Sequence, residues 1–303
     1  MVVAPSLSVV VPSVNGWQDL EGCLQALELE RSTVALEVIV PERCGERVRG
    51  ALAERFPWVQ LLPVSVDTSI PRMRALAFER AIAPTVAVIE DHVLVPTGWA
   101  QQMLNARSGD VRAVGGTLVN AATESTVDWA AFLCEYSHVF MPLTPGPADW
   151  LMGNNASYER ALLTECRDTW LTGRWENVLH DTMKQRGVVL WCAPDIVVQH
   201  KKHYTVGEYT SQRFLYARAF AADRMDGQRG MPGLIRRLLY GAAAAALPPV
   251  LFTRIVLRVW KSRLHRRELL QSLPLLLLFV VAWGLGEMAG AWFGDAGAMA
   301  KVK

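Results

Sequence analysis

Four short runs of unbroken apolar residues constrain this chain more than any other feature. LSVVVPSV (Leu7–Val14), LEVIV (Leu36–Val40), VQLLPV (Val59–Val64) and VAVI (Val86–Ile89) are rich in β-branched residues and too short to cross a membrane. Such runs are expected as strands buried on both faces. Between them apolar residues recur at helical spacing, as Trp17, Leu20, Leu24 and Leu27 do in Trp17–Glu30. Further helices are predicted over Glu46–Phe56, Arg72–Ile82 and Trp99–Ala106. Strands alternating with helices imply right-handed crossovers, hence an α/β fold with a mainly parallel sheet and helices on both faces. Ligands gather at the carboxyl ends of strands in such sheets. VAVI ends at such a place, on Glu90, Asp91 and His92.

The middle of the chain changes character. VRAVGGTLV reads as a strand with a Gly-Gly kink, and GNNASY as a polar turn. Glu176–Arg186 reads as a helix stopped by Gly187, and VVLWCAPDIVVQH as strands on both sides of Pro194. From Gly233 the composition becomes lipid-like. Leu238–Leu257 carries one charge, Arg254, and Leu273–Phe293 carries one, Glu287. Each is about the ~20 residues that a bilayer requires. The basic stretch RVWKSRLHRRE lies between them, and Arg224, Arg229, Arg236 and Arg237 precede the first. Basic flanks on both sides oppose a simple two-span hairpin. The first segment is therefore expected to lie in the interface or to re-enter at Pro248-Pro249, and the second to span; a buried helical hairpin is the alternative.

This uneven distribution accounts for the 51% apolar content and implies a soluble domain, residues 1–225, with a membrane-associated region, 226–303. The soluble part divides into a nucleotide-binding half, 1–112, and an acceptor half, 113–225. A net charge of +2 is too small to argue for a nucleic-acid partner. The five cysteines are scattered, odd in number and without a CxxC pair, which fits a reducing compartment better than a disulfide framework. The N-terminal apolar run has no basic residue before it and reads as a strand, not a secretion signal. The cytoplasmic face of a membrane is the expected location.

Four stretches, in this order, resemble the inverting GT-A glycosyltransferases of family 2, over roughly Leu7 to Arg218. SVVVPSVNGWQDLEGCLQAL, containing Pro12, resembles the opening strand, turn and helix that receive the nucleotide. PRMRALAFERA resembles the basic helix before the acidic motif, with Arg74 at the usual arginine and Arg72 beside it. VAVIEDHVLVPTGW has the strand, the acidic triplet and the Pro-x-Gly-Trp trailer. GNNASYERALL with WENVLHDTMKQRG resembles the acceptor-side loop and the helix bearing the general base. The departures are specific: Glu90-Asp91-His92 replaces Asp-x-Asp, Glu42 is the sole acid after the second strand, and Glu176-Asn177 replaces Glu-Asp.

The resemblance implies a GT-A (Rossmann-like) fold, a nucleotide-diphosphate sugar donor, and a lipid-linked or glycan acceptor at a membrane. It also implies Mg²⁺ or Mn²⁺ held by the triplet, with His200 as a further ligand. On strand alternation Glu90 and His92 face one side and Asp91 the other, unless the strand end turns Asp91 inward. Glu42 would hold the base of the nucleotide, and Arg72 and Arg74 would screen the diphosphate. Asn154 and Asn155 would bind sugar hydroxyls or merely shape a turn. Gln212 and Arg213, in HKKHYTVGEYTSQRFLYAR, would pack over the nucleotide or lie on anionic lipid. The general base falls to Glu176, with Asp181 as fallback, since asparagine takes no proton. The rival to an enzyme is a catalytically silent GT-A-like scaffold in a polysaccharide assembly complex. A nucleotidyltransferase fits less well, because no Gly-rich, Lys-containing loop follows Leu7–Val14.

Overall fold

The computed structural model describes residues 4–107, 109–139, 143–227 and 233–303. The chain runs β1 (Leu7–Val10), α1 (Trp17–Glu30), β2 (Leu36–Glu42), α2 (Glu46–Arg55), β3 (Gln60–Pro63), α3 (Ile70–Phe78), β4 (Thr85–Ile89), β5 (Val93–Leu94) and α4 (Trp99–Asn105). It continues with β6 (Ala113–Asn120), α5 (Thr126–Tyr136), β7 (Gly146–Ala148), β8 (Asn155–Glu159), α6 (Arg160–Glu165), α7 (Arg167–Trp170), α8 (Glu176–Gln185) and β9 (Leu190–His200). Five helices follow: α9 (Val206–Gly227), α10 (Gly233–Ala244), α11 (Leu247–Ser262), α12 (Arg266–Phe293) and α13 (Ala298–Lys301). Two compact units result. One comprises the described residues up to Ala121 with Val139–Lys201, the other Ala122–His138 with Lys202–Lys303. The expected boundary after residue 225 falls within α9, and α5 joins the second unit. Arg229 lies outside the described residues.

The first unit is built on one sheet with strand order β3-β2-β1-β4-β8-β6-β9-β5, and β7 pairs with β9. The alternation read from the sequence produces the parallel half: β1 pairs with β2 and β4, and β2 with β3, all parallel. The other half is mixed. β8 enters antiparallel between β4 and β6, while β9 runs parallel to β6 and antiparallel to β5. The core between the sheet and α3, α6 and α8 includes Val10, Val88, Ala75, Leu162, Leu179 and Met183, all buried. At about 25 cal/mol per Å² of apolar surface removed from water, such a layer is the main favourable contribution to folding.

Two local readings change. GNNASY is not all turn: Asn155 to Tyr158 are buried and form the central strand β8. The stretch around Pro194 is one strand, not two. Its pairing with β6 jumps from Gly115↔Cys192 to Thr117↔Val197, so Pro194 sits where no ladder bond to β6 is needed. The amide of Asn155 fills this irregularity, donating to Thr117 O at 2.7 Å and Ile196 O at 2.8 Å, while Oδ1 accepts Trp99 Nε1 at 3.1 Å.

The second unit is helical, and α12 is its hub. The segment Leu238–Leu257 is broken between α10 and α11, which meet at 47°, and Pro248 and Pro249 stand in the first turn of α11. Proline there costs little, because the first-turn N–H groups have no helical partner. Along α12, Gly286 and Gly290 let α9 approach closely. A Cβ on Gly286 would lie 2.3 Å from Phe214 O, and one on Gly290 2.2 Å from Arg218 O. Ala217 and Ala221 face them from α9. Among the described residues α12 alone is long and apolar enough to cross a membrane; α10 and α11 would qualify only as one bent pair. Gly290→Leu should force these two helices apart. A loss of roughly 1–3 kcal/mol is expected, read as a clear fall in the thermal midpoint, and an unchanged midpoint would contradict the packing.

Candidate active site

The chain beyond β4 is folded back by a short antiparallel pairing in which Val93 stands opposite His200. Lys201 N donates to His92 O at 3.0 Å, closing the end of this ladder. The two imidazoles therefore meet, Nε2 to Nε2 at 2.8 Å, with ring planes at 85°. Glu90 Oε2 lies 3.2 Å from the same His92 nitrogen. One ligand atom from each of Glu90, His92 and His200 falls within 4.8 Å of the others. Two ring nitrogens aimed at each other beside a carboxylate are a donor set that fits a divalent cation. His92 and His200 are buried and Glu90 is about one-quarter exposed, so the set has one open side.

Asp91 does different work. It is fully buried, and its carboxylate accepts Val14 N at 2.7 Å, Asn15 N at 2.8 Å and Asn15 Nδ2 at 2.6 Å. It thus fixes the loop after β1, and its Oδ1 lies 3.2 Å from His92 Nδ1, orienting that ring. Residues 90–92 lie beyond β4 in a tight turn, with Val93 N donating to Glu90 O at 3.0 Å, and this turn puts Glu90 and His92 together while Asp91 meets the loop after β1. Burial disfavours charge on all three, yet hydrogen bonds and mutual attraction prevail. His92 is pushed up to about 9 by Asp91 and Glu90, and Glu90 down to about 2 by His92, Arg74 and His200.

Arg74 joins this cluster to the start of α8. Its Nη1 donates to Glu176 Oε2 at 2.8 Å, its Nη2 to Gly153 O at 2.9 Å, and Glu90 Oε1 stands 3.9 Å away. Ser69 places Arg74 by capping α3, with Pro71 in the first turn. Gly153 lies close to both: a Cβ there would stand 2.6 Å from Glu176 Oε1 and 2.8 Å from Arg74 Nη1, so the ends of these two side chains would have to shift. Asn154 Nδ2 reaches Glu90 Oε2 at 3.3 Å. Pro71, Arg74, Phe78, Gly153, Trp170 and Glu176 line a cleft with an apolar wall and a charged end. Behind it, buried Tyr158 meets His180 Nε2 at 2.8 Å. Burial, then Lys184, hold His180 down at about 3, so it stays neutral.

Thus Glu90, His92, His200, Arg74, Glu176 and Asn154 come together. Other sequence-chosen residues do not join them. Glu42 is fully buried and accepts from Cys44 N, Gly45 N at 3.0 Å and Arg49 Nε at 2.6 Å, closing the turn into α2. Pro12 is buried behind the loop that Asp91 fixes. Arg72 is exposed and reaches toward Leu171 O at 3.5 Å. Asn155 has both ends of its amide engaged inside the sheet, as described above. Asp181 is exposed and paired with Lys184 at 2.9 Å. Gln212 and Arg213 belong to the second unit; Gln212 bonds Lys303 N at 2.9 Å, and Arg213 stacks 4.0 Å from the Trp283 ring centre. Sequence reasoning missed Asn15, Gly153 and Glu30. Buried Glu30 accepts Gly98 N and Ala100 N, both at 2.7 Å, at the start of α4. Gly98 has φ 87°, which explains the Gly-Trp dipeptide of the trailer: left-handed backbone, then a Trp99 that is fully buried.

No family model and no curated protein matches the sequence. Among solved structures, a mannosyltransferase from Pyrobaculum calidifontis, PcManGT, aligns over 94% of this chain and 87% of its own, with a TM-score of 0.56 and 16% identity. The chain has the GT-A glycosyltransferase fold. S. aureus TarS residues 1–349 also align, over 90% of this chain and 89% of that one, at a TM-score of 0.49 and 12% identity. In the GT-A frame, the cluster at residues 90, 92 and 200 occupies the strand-end position where α/β sheets bind ligands.

Two outcomes are expected. Asp91→Ala strands the buried Val14 N and the part-buried Asn15 N and Nδ2, and should cost roughly 2–4 kcal/mol of stability, measured by urea denaturation, while Glu90→Gln should cost far less. His180 takes up a proton near pH 6.5 when unfolded but only near 3 when folded, so its contribution is lost as pH falls below 6.5. His180→Gln should therefore flatten the decline of the urea midpoint between pH 7 and 4.5; an identical slope would refute a neutral buried imidazole.

Proposed function

We propose that this chain is a membrane-associated inverting glycosyltransferase. It moves a sugar from a nucleotide-diphosphate sugar to a lipid or glycan acceptor, in surface polysaccharide or glycolipid synthesis. The observation that carries the reading is the convergence of Glu90, His92 and His200 at the end of β4 in a GT-A fold. The PcManGT structure contains GDP-Man and Mn²⁺, which supports the donor class and the metal. In this reading Glu90, His92 and His200 hold the cation; two imidazoles favour Mn²⁺ over the more oxygen-demanding Mg²⁺. Bound there, it would offset the negative charge that builds on a departing diphosphate.

The chain's own groups supply the rest. Glu176, one-quarter exposed at the start of α8, takes the proton of the acceptor hydroxyl. Arg74 and Gly153 fix the direction of that carboxylate, and an arriving diphosphate competes with Glu176 for the guanidinium. Asp91 and Asn15 keep His92 oriented, and Asn154 holds Glu90. The apolar wall formed by Phe78 and Trp170 keeps water from one side of the cleft. Family 2 membership, the hexosyl class of sugar and the cytoplasmic-face location belong to the same proposal.

A second reading keeps the fold without the reaction: a scaffold in an assembly complex, favoured by Asn177 and by the ion pair that occupies Glu176. Calorimetry separates the two. Nucleoside diphosphate binding that needs Mn²⁺ and disappears with chelator supports the enzyme. Across a panel of sugar nucleotides, Mn²⁺-dependent release of nucleoside diphosphate is expected, reduced at least ~100-fold in Glu90→Gln and His200→Ala. Glu176→Gln should retain donor affinity while transfer falls by about 10²–10⁴. Full activity in that variant would place the base elsewhere.

A further inference from the structure

Hydropathy alone does not decide how the apolar C-terminal region meets a membrane. α12 is long enough to cross a bilayer, but α9 lies along it, in the same direction. Tyr209 stacks on Phe279 with ring centres 4.6 Å apart, Phe214 and Ala217 meet Gly286, Arg218 and Ala221 meet Gly290, and Arg224 pairs with buried Glu287. Tyr240 Oη and Trp283 Nε1 also donate to Glu287, at 2.9 and 3.1 Å. If α12 crossed, α9 would have to cross with it, carrying Glu208, Arg213, Arg218, Asp223 and Arg224. Each such charge at a bilayer centre disfavours insertion by roughly a hundredfold.

What α10, α11 and α12 leave exposed is nevertheless not a soluble surface. Leu234, Ile235, Leu238 and Leu239 form one face of α10, and Leu270, Leu277, Val281 and Leu285 a stripe along α12. On α11, exposed Val250 and Leu257 share a face with Arg254, Arg258 and Lys261. The turn into α12 adds exposed Trp260, Leu264, Arg263 and Arg267, and Arg266 stacks 4.5 Å from the Trp260 ring centre. From Gly233 to Arg267 the sequence has eight Arg or Lys residues and no Asp or Glu. Apolar stripes beside a surface of one charge sign are the pattern of helices lying in the headgroup boundary.

We infer that the second unit is held on one leaflet of an anionic phospholipid membrane, with the stripes of α10 and α12 in the acyl boundary and the α11–α12 turn among the headgroups, and that α12 does not cross. This deepens the membrane association proposed above and is independent of the transfer reaction. The small-residue face of α12 is spent on α9, so the helix offers lipid only its Leu270–Leu285 side.

The test uses the full chain. Leu264→Cys and Lys301→Cys, at exposed positions beyond opposite ends of α12, are each made with Cys44→Ser and treated with an impermeant maleimide in spheroplasts and in inverted vesicles. Labelling of both from the same membrane side is expected; labelling from opposite sides overturns the inference. Purified protein is also floated with phosphatidylcholine vesicles, with and without phosphatidylglycerol. Binding at least ~10-fold tighter with phosphatidylglycerol is expected, because each basic residue near such a surface contributes about a factor of five. It should weaken at least ~10-fold in Arg258→Glu/Lys261→Glu/Arg267→Glu. Equal binding to both compositions, or none to either, overturns the anionic-leaflet assignment. Absent sugar transfer with intact, lipid-selective flotation would sink only the reaction.

Discussion

Asp91 is enclosed by hydrogen-bond donors from the loop that follows β1: two backbone amides and the side-chain amide of Asn15. Few carboxylates in the chain are so completely committed, and the rest of the site follows from that commitment. A charged group without solvent is tolerated only when its acceptor capacity is filled. With residue 91 held against the β1–α1 loop, the tight turn closed by Val93 N on Glu90 O brings residues 90 and 92 together on its other side. There they meet His200, brought alongside by the two-residue pairing of β5 with β9. Glu90 keeps a partly open side, whereas Asp91, the central member of the triplet, is fully buried.

The same logic extends outward from Glu90 to Arg74 and Glu176. Arg74 lies between Glu90 and Glu176, both about one-quarter exposed, and a Cβ at residue 153 would displace the ends of Arg74 and Glu176. A low local dielectric strengthens each of these contacts and makes an unmatched charge costly. Anything anionic that enters must therefore compete with an existing partner.

The parallel half of the sheet was legible because VAVI, LSVV and most of LEVIV are buried, where sequence and burial carry the same signal; the edge strand β3 departs from the expectation, with Gln60 and Pro63 exposed and Leu61 and Leu62 only partly buried. α1 was legible to its ends for the same reason. β8 was not, because Asn155, Ser157 and Glu159 look like a turn; their burial depends on β4 and β6, far away in sequence. The meeting of Glu90, His92 and His200 was legible in part: His200 stands at a strand end as read, while the turn after β4, not strand alternation, places residues 90 and 92. Glu42, Asn155, Asp181, Gln212 and Arg213 were chosen on type and order, and type does not reveal that a neighbour such as Arg49, Thr117 or Lys303 already holds the polar atoms. For α12, length and hydropathy allow a span, while the charged helix α9 packed beside it is invisible to both measures.

Asn155 has a consequence for the far end of β9. Its amide bridges the strand irregularity at Ile196, four residues before His200, and so sets the count of residues between the bulge and the strand tip. Sliding that strand by one position would carry the imidazole about 3.3 Å along the strand and turn it to the opposite side of the sheet. A carboxamide wholly enclosed in the protein interior thereby acts as the gauge by which the His200 imidazole is measured into place.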